Sequence, residues 1–384
     1  MSPKPPLVVS LNLPQTRREA PRRPPRTRQE ACKNACADGS NEAAKRQAMS
    51  VPWTPHATMK AHAIRLAVRG TSRSHAFADV RLGQSWSAHQ RVKNQLLYSL
   101  VSVALLVARP LPRWALVAVG AALGRLGYVV LARSRRIALA NVARVYPLMT
   151  AEERTRFVRH CFDTLGALLG DAVALLWPRS RLPVLRLSNH ARGLFEDARA
   201  AKRAVIFASA HLGPWELVAA SLVAAGIPLV TIARESYDPR LTRLYESLRE
   251  RHGVGVVWRD RPGSVARILR TLRRGGVLGV PMDLKARVPS CDVDFMGSVA
   301  PTAVGPARLA LRTRARVLVG SIAPAEGGGV EVTATAVETR DLQVGDDGAH
   351  VLTGRINAEL SRRILAIPHA WVWMHERWPS ETRI

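Results

Sequence analysis

The stretch Ala204 to Glu216, AVIFASAHLGPWE, decides how this chain is read. It opens with a short apolar run, Ala204 to Ala208, and then meets Ser209, His211, Gly213 and Pro214. An unbroken apolar run of that length, closed by such a break, reads as a strand buried on both faces of a parallel sheet. From Pro214 the pattern becomes PWELVAASLVAAG, a helix with Pro near its first position and Gly226 just past its end. His211 therefore falls where strand turns into helix. In open α/β sheets that carboxyl edge is where ligands bind. Glu216 lies five residues on, in the first helical turn, where it can return to the imidazole.

A histidine partnered by a carboxylate suits acyl transfer to a hydroxyl. Neutral imidazole takes the proton of an alcohol as it attacks a thioester, and the carboxylate fixes the tautomer and stabilises the imidazolium that forms. The competing reading is a strand-end histidine that only caps a helix. The downstream pattern favours the chemistry. Strands are expected over Ile227 to Ala233, Gly255 to Trp258, Val277 to Met282, Arg316 to Ile322 and Val330 to Val337. Helices are expected from about Pro239 to His252, Gly263 to Arg274, Pro301 to Thr313 and Val351 to Ile367. This alternation implies an α/β fold, a mostly parallel central sheet with helices on both faces. His211, Arg234 and Asp283 all fall at the carboxyl ends of expected strands, so three polar side chains gather at one sheet edge.

With 384 residues, 47% of them hydrophobic, the chain can bury a large core. Its formal net charge of +28 favours anionic lipid head groups or an acidic carrier protein. Nucleic acid ranks lowest as a partner, because no zinc-finger spacing, RNP-like motif or compact basic recognition helix occurs. Cys32, Cys36, Cys161 and Cys291 make no disulfide framework for a chain of this size, which fits a reducing, cytoplasmic-side location. Cys32 and Cys36 lack a second ligand pair for zinc, and HExxH is absent, so no metal or other cofactor is expected.

Three regions follow from composition. Residues 1–90, rich in Pro and Arg, read as a disordered basic tail without a signal-peptide core; Met49 and Met59 are alternative starts. A polybasic membrane tether is the functional alternative for this tail. Residues 91–135 read as apolar membrane-associating helices. Leu96 to Ala108 is an uninterrupted run of apolar or small residues, about 13 long and short of the roughly 20 that span a bilayer. After Pro110-Leu-Pro112 comes Trp114 to Ala132, interrupted only by Arg125. An interfacial or re-entrant anchor and a buried helical hairpin both fit, and one face buried with the other on lipid satisfies both. Residues 136–384 form the catalytic domain. Within it, Thr150 and Glu153 make a capping-box signature before an amphipathic helix carrying Phe157, Cys161 and Leu165. Residues 179–203 carry no distinct signal.

Six elements in order resemble the bacterial lipid A late acyltransferases, the lauroyl/myristoyl or HtrB-like family of the lysophospholipid acyltransferase superfamily. They are Asn141-Val-Ala-Arg-Val-Tyr146-Pro147, His211-Leu-Gly-Pro-Trp215-Glu216, Gly275-Gly276-Val-Leu-Gly279 leading to Asp283, Val293-Asp-Phe295-Met-Gly297, Ala300-Pro301-Thr302-Ala-Val-Gly305-Pro306-Ala307, and Trp373-Met-His375-Glu-Arg377-Trp378. The resemblance covers about residues 95 to 380. It implies a glycerolphosphate acyltransferase-like fold on the cytoplasmic face of the cell inner membrane. It further implies transfer of a fatty acyl chain from acyl carrier protein, or from acyl-CoA, to a hydroxyl of a lipid A precursor or related glycolipid. His211 would be the base and Glu216 its partner. Arg234 would bind a phosphate or the developing oxyanion, with Asp283 orienting that arginine or the acceptor. Ser209 and the amides of Leu212 and Gly213 would supply further donors.

Two departures touch the acceptor side. The family's Asn beside the base is Pro214 here, and its Asp-Gln is Asp283-Leu284, followed by Lys285 and Arg287 near the site. Extra positive charge there suits an anionic acceptor or carrier. The glycerophospholipid branch, typified by H-x4-D and a Pro-Glu-Gly-Thr block, fits less well, since the acid is Glu216 and no such block occurs. Acylation of another lipid head group and a non-catalytic membrane-binding role are the remaining readings.

Overall fold

A computed structural model describes residues 86–177, 185–259, 261–285, 288–325 and 329–379. The basic tail expected over residues 1–90 lies outside the described residues except for its last five. The AVIFA run is a strand, β1 (Val205–Ser209), buried at its first four positions. It lies in a six-stranded sheet with β2 (Leu229–Ala233), β3 (Gly255–Trp258), β4 (Val277–Pro281), β7 (Arg316–Pro324) and β8 (Val330–Val337), in the order β3-β2-β4-β1-β7-β8. All pairings are parallel except β7 with β8. A strand flanked on both sides and covered on both faces has no solvent-facing positions, which is why β1 and β4 show no polar alternation.

The helix after His211, α6 (Trp215–Ala224), starts one residue later than expected, with Pro214 as its N-cap residue. Its end follows the expectation. Gly226 takes the left-handed conformation at φ 83°, and the Ile227 amide returns to the Leu222 carbonyl at 3.1 Å, a Schellman closure. Helices α7 (Pro239–Arg251), α8 (Ser264–Arg273) and α10 (Asp346–Ala366) fall where the periodicity puts them, α10 beginning five residues early.

One expectation fails in part. Residues 301–304 are not helical. Ser290–Phe295 and Ser298–Ala303 form an antiparallel hairpin, β5 and β6, and the helix α9 begins only at Gly305. Met296 and Gly297 both have positive φ, the two-residue turn that matches strand twist. Pro301 is foreign to a central strand but tolerated in a two-stranded ribbon. The hairpin is held from outside by α10, whose Asn357 amide donates to the Asp294 carbonyl at 3.2 Å and the Thr302 hydroxyl at 2.9 Å. The segment that carried no distinct signal holds a further helix, α5 (Asn189–Ala200), capped by Ser188.

Of the apolar region, α1 (Ala88–Ala108) opens with a Ser87–Gln90 capping box and buries no residue. Arg240 ties it to α7, donating to Gln95 Oε1 at 2.6 Å and stacking 4.1 Å over the Tyr98 ring. The next helix, α2 (Arg113–Val130), is long and apolar enough to cross a membrane by length and composition. One face packs on α4 (Ala151–Ala174), burying Leu116 and Gly120, while Val119, Leu123, Leu126 and Val129 stay exposed. The seam with α4 is made of glycine. A Cβ on Gly120 would sit 2.2 Å from the Gly166 carbonyl oxygen, and one on Gly124 2.2 Å from that of Phe162. Arg113 adds an ion pair to the buried Asp171 at 2.5 Å.

Gly166→Val is expected to force these backbones apart and destabilise the protein by about 1–3 kcal/mol. Gly193→Ala on α5, where a Cβ meets nothing within 4 Å, is expected to be neutral or stabilising. Paired thermal melts check the contrast, and equal melting temperatures would remove the seam from the packing account.

Candidate active site

In the β1–β4 pair Ser209 lies opposite Pro281. The Met282 amide extends the register by bonding the Ser209 carbonyl at 3.0 Å. His211 and Asp283 each lie two residues beyond the paired positions, so the sheet itself delivers them to one place. The Asp283 carboxylate is fully buried and accepts three hydrogen bonds. Oδ1 meets His211 Nδ1 at 2.9 Å, while Oδ2 takes the His211 backbone N–H and the Trp371 indole N–H, both at 2.8 Å. A carboxylate on Nδ1 assigns the proton to that nitrogen and leaves Nε2 as the basic lone pair. The imidazole is 28% exposed and stands beside the Trp215 ring, centroids 5.3 Å apart.

Burial alone would disfavour the imidazolium. The Asp283 charge and hydrogen bond, helped by Glu216 and opposed by Arg249, outweigh it and raise the His211 pKa above its ordinary value. Burial likewise works against the Asp283 carboxylate, yet His211, the Trp371 donor and the His211 amide hold its pKa below the usual carboxylate range.

Glu216 does not take the expected place on the imidazole. Its carboxylate is buried on the α7 side. Oε1 accepts the Tyr245 hydroxyl at 2.6 Å and Arg249 Nη2 at 2.8 Å, and Oε2 accepts Arg249 Nε at 3.0 Å. A planar guanidinium donating through two nitrogens is a stronger partner than one ring nitrogen, and Nδ1 is already claimed by Asp283. Arg249 is itself buried, and the Glu216 charge overrides that burial to keep its pKa raised.

The other expected residues are placed as follows. Ser209 ends β1 beside the histidine. The Gly213 amide is spent on the Ala370 carbonyl at 2.9 Å, so it is not an open donor for an oxyanion. Gly213 is needed for another reason: its φ is +63°, and a Cβ would meet Ile322 Cδ1 at 2.5 Å. Arg234 is exposed just past β2, on the same sheet edge, with β4 between β2 and β1. Its guanidinium lies over Tyr237 at 5.5 Å and donates to the phenol oxygen at 3.4 Å. Lys285 is exposed two residues after Asp283, and Arg287 lies outside the described residues.

Beneath His211 a narrow slot of about 50 Å³ runs between α6 and the sheet, lined mainly by Phe207, Trp215, Val218, Leu222 and Leu229. Gly279 on β4 and Gly320 on β7 open it by lacking side chains; a Cβ on Gly320 would strike the Phe207 ring at 2.4 Å.

The C-terminal segment closes the site. Asn141 Nδ2 donates to the carbonyls of Trp373 and His375, both at 2.8 Å, and Arg377 donates to the Pro301 carbonyl at 2.5 Å and Thr302 Oγ1 at 2.6 Å. Burial pushes the Arg377 pKa down to about 10. Sequence-distant elements thus converge on one buried carboxylate. Over residues 84–380 the sequence matches the family described as bacterial lipid A biosynthesis acyltransferase. The chain belongs to that family. It is therefore an acyltransferase of lipid A biosynthesis. A search of curated proteins found no match.

Within this acyltransferase, sequence reasoning missed Trp371, Tyr245 and Arg249. The one available signal was the spacing Tyr245 to Arg249, which puts both side chains on one face of α7.

Two variants test the geometry. Asp283→Asn removes the charge that favours imidazolium, so the His211 pKa is expected to fall; an NMR titration of the imidazole reads it, and an unchanged pKa would sink the pairing. Glu216→Gln leaves Arg249 buried and unpaired, with an expected loss of about 3–5 kcal/mol in denaturant unfolding. A Glu216→Gln protein of full stability would return Glu216 to the imidazole.

Proposed function

We propose that His211 is the general base of an O-acyl transfer and that Asp283, rather than Glu216, is its charge partner. The observation that carries this is the Nδ1–Asp283 bond, which leaves Nε2 free at the mouth of an apolar slot. The acceptor hydroxyl gives its proton to Nε2 as its oxygen attacks the thioester carbonyl. The tetrahedral intermediate collapses, the C–S bond breaks, and the imidazolium gives its proton to the departing sulfur, so that a thiol leaves and neutral His211 is restored. Asp283 stabilises that imidazolium without taking the proton. A base of this kind is worth about 10²–10⁴ in rate. Because the base must be neutral and its pKa is raised, activity climbs with pH through a value above the ordinary imidazole range.

The donor is acyl carrier protein or acyl-CoA carrying a fatty chain that enters the slot, and the acceptor is a hydroxyl of a lipid A precursor. No metal is required by this scheme. Arg234, exposed on the same sheet edge, is suited to an anionic group of donor or acceptor. Ser209 lies close enough along β1 to contribute a donor beside the base. The net charge of +28 supports an acidic carrier and anionic lipid as partners. The exposed apolar faces of α1 and α2 support association with the inner membrane at its cytoplasmic face. Lys285 and the Leu284 departure favour one alternative acceptor, another anionic glycolipid.

The test is mass spectrometry of membrane lipids from cells with the protein, without it, and with His211→Ala. Loss of one secondary acyl chain from lipid A in both deficient cases is the expected result. Loss from another lipid class would rename the acceptor and keep the chemistry. Purified His211→Ala is expected to transfer about 10²–10⁴ times more slowly, and full activity would end its assignment as base.

A further inference from the structure

We propose a second binding site, for a compact phosphate-bearing ligand, at the amino-terminal edge of the sheet. A cavity of about 270 Å³ opens there, where β1 and β4 begin at Val205 and Val277. Its apolar floor includes Phe195, and Arg192, Arg199, Arg203 and Arg274 surround it against one carboxylate, Glu196. Arg192, Phe195 and Arg199 follow at spacings of three and four on α5 and so share one helix face. Arg203 donates Nε and Nη2 to the Arg314 carbonyl at 3.1 and 3.0 Å, which holds its guanidinium in place. Among the described residues, Arg192, Arg199 and Arg274 have neither a hydrogen bond nor an ion pair from their side chains.

Among the described residues some surface arginines are neutralised, Arg308 by Asp346, Arg355 by Asp341 and Arg362 by Glu359, and others such as Arg312 and Arg340 are not; what sets Arg192, Arg199, Arg203 and Arg274 apart is that they border one cavity. Unneutralised guanidinium groups gathered round a concavity repel one another, and low-dielectric walls strengthen the field they project into it. A phosphate relieves that repulsion and matches the planar donor fork of arginine. The apolar floor takes an uncharged part of the same ligand. The cavity is small against the usual range for drug-sized ligands, which points to a compact phosphomonoester.

This site is not the acyl-transfer edge. Val205 to Ser209 spans about 13 Å at ~3.3 Å per residue, and His211 and Asp283 lie two residues past the far ends of the same two strands. Strands β1 and β4 connect the two edges directly. Either a soluble phosphorylated metabolite or an anionic lipid head group supplies the shared chemistry.

Calorimetric titration of the full-length protein with inorganic pyrophosphate, at fixed ionic strength, tests the proposal. Saturable binding is expected in wild type and in a control lacking exposed Arg312 and Arg340. In Arg199→Ala/Arg274→Ala it is expected to weaken about tenfold or more, with melting temperature and basal acyl transfer unchanged. Single Arg192→Ala and Arg274→Ala variants read the same loss should the double variant melt early. A second arm floats the protein with phosphatidylglycerol vesicles. Flotation competed by pyrophosphate, and reduced in the double variant, supports a lipid head group as the source. Flotation indifferent to pyrophosphate, beside saturable calorimetric binding, supports a soluble ligand. Equal pyrophosphate affinity in wild type and double variant, or no saturable binding in wild type, overturns the site.

Discussion

A carboxylate with no access to water must be compensated where it stands, and Asp283 is compensated three times over. Isolated, it would cost several kcal/mol to bury. Its three donors come from two parts of the chain: the backbone and ring of His211 beyond β1, and the indole of Trp371 near the C-terminus. Satisfying one charge therefore fixes the gap between β4 and β1 and anchors the last segment of the chain over it. That segment is in turn held by Asn141 on α3 (Ala132–Val145) and by the Arg377 contacts to β6. The same interaction that poises the histidine also ties the termini of the catalytic domain together.

The sheet was legible because β1 and β4 are buried on both faces, and full burial writes itself into a sequence as an unbroken apolar run. Strand β3 and strand β8 matched their expected limits for a related reason: clear turn residues flank them. The hairpin of β5 and β6 was not legible. Strand β5 does alternate, Cys291, Val293 and Phe295 against Ser290, Asp292 and Asp294, but its partner β6 contains Pro301 and does not, and what stabilises the pair is Asn357 and Ser361 on a helix more than fifty residues away. Nothing local encodes that support.

The candidate site shows the same division. His211 was legible from its place at a strand end, and Asp283 was legible as a polar residue at the same edge. Their partnership was not. Closeness along the chain suggested Glu216, whereas closeness across the sheet selected Asp283, because neighbouring parallel strands in register bring equivalent positions together. Glu216 instead completes a buried cluster with Tyr245 and Arg249. That cluster still reaches the imidazole through its charge, with the carboxylate favouring the protonated ring and the guanidinium opposing it. Electrostatic influence extends past the first hydrogen bond, and sequence spacing reveals only that two groups lie on neighbouring elements.

The glycine seam between α2 and α4 has a mechanical meaning. Apolar side chains hold helices together because water surrounds them, and that drive fades where the surroundings are hydrocarbon. Contact between bare backbones rests on close packing, which works as well in lipid as in water. A helix fastened this way behaves as a stiff arm and not as a hinge. Whatever surface receives the exposed face of α2 thereby also sets the tilt of the sheet, and with it the direction from which a substrate approaches His211.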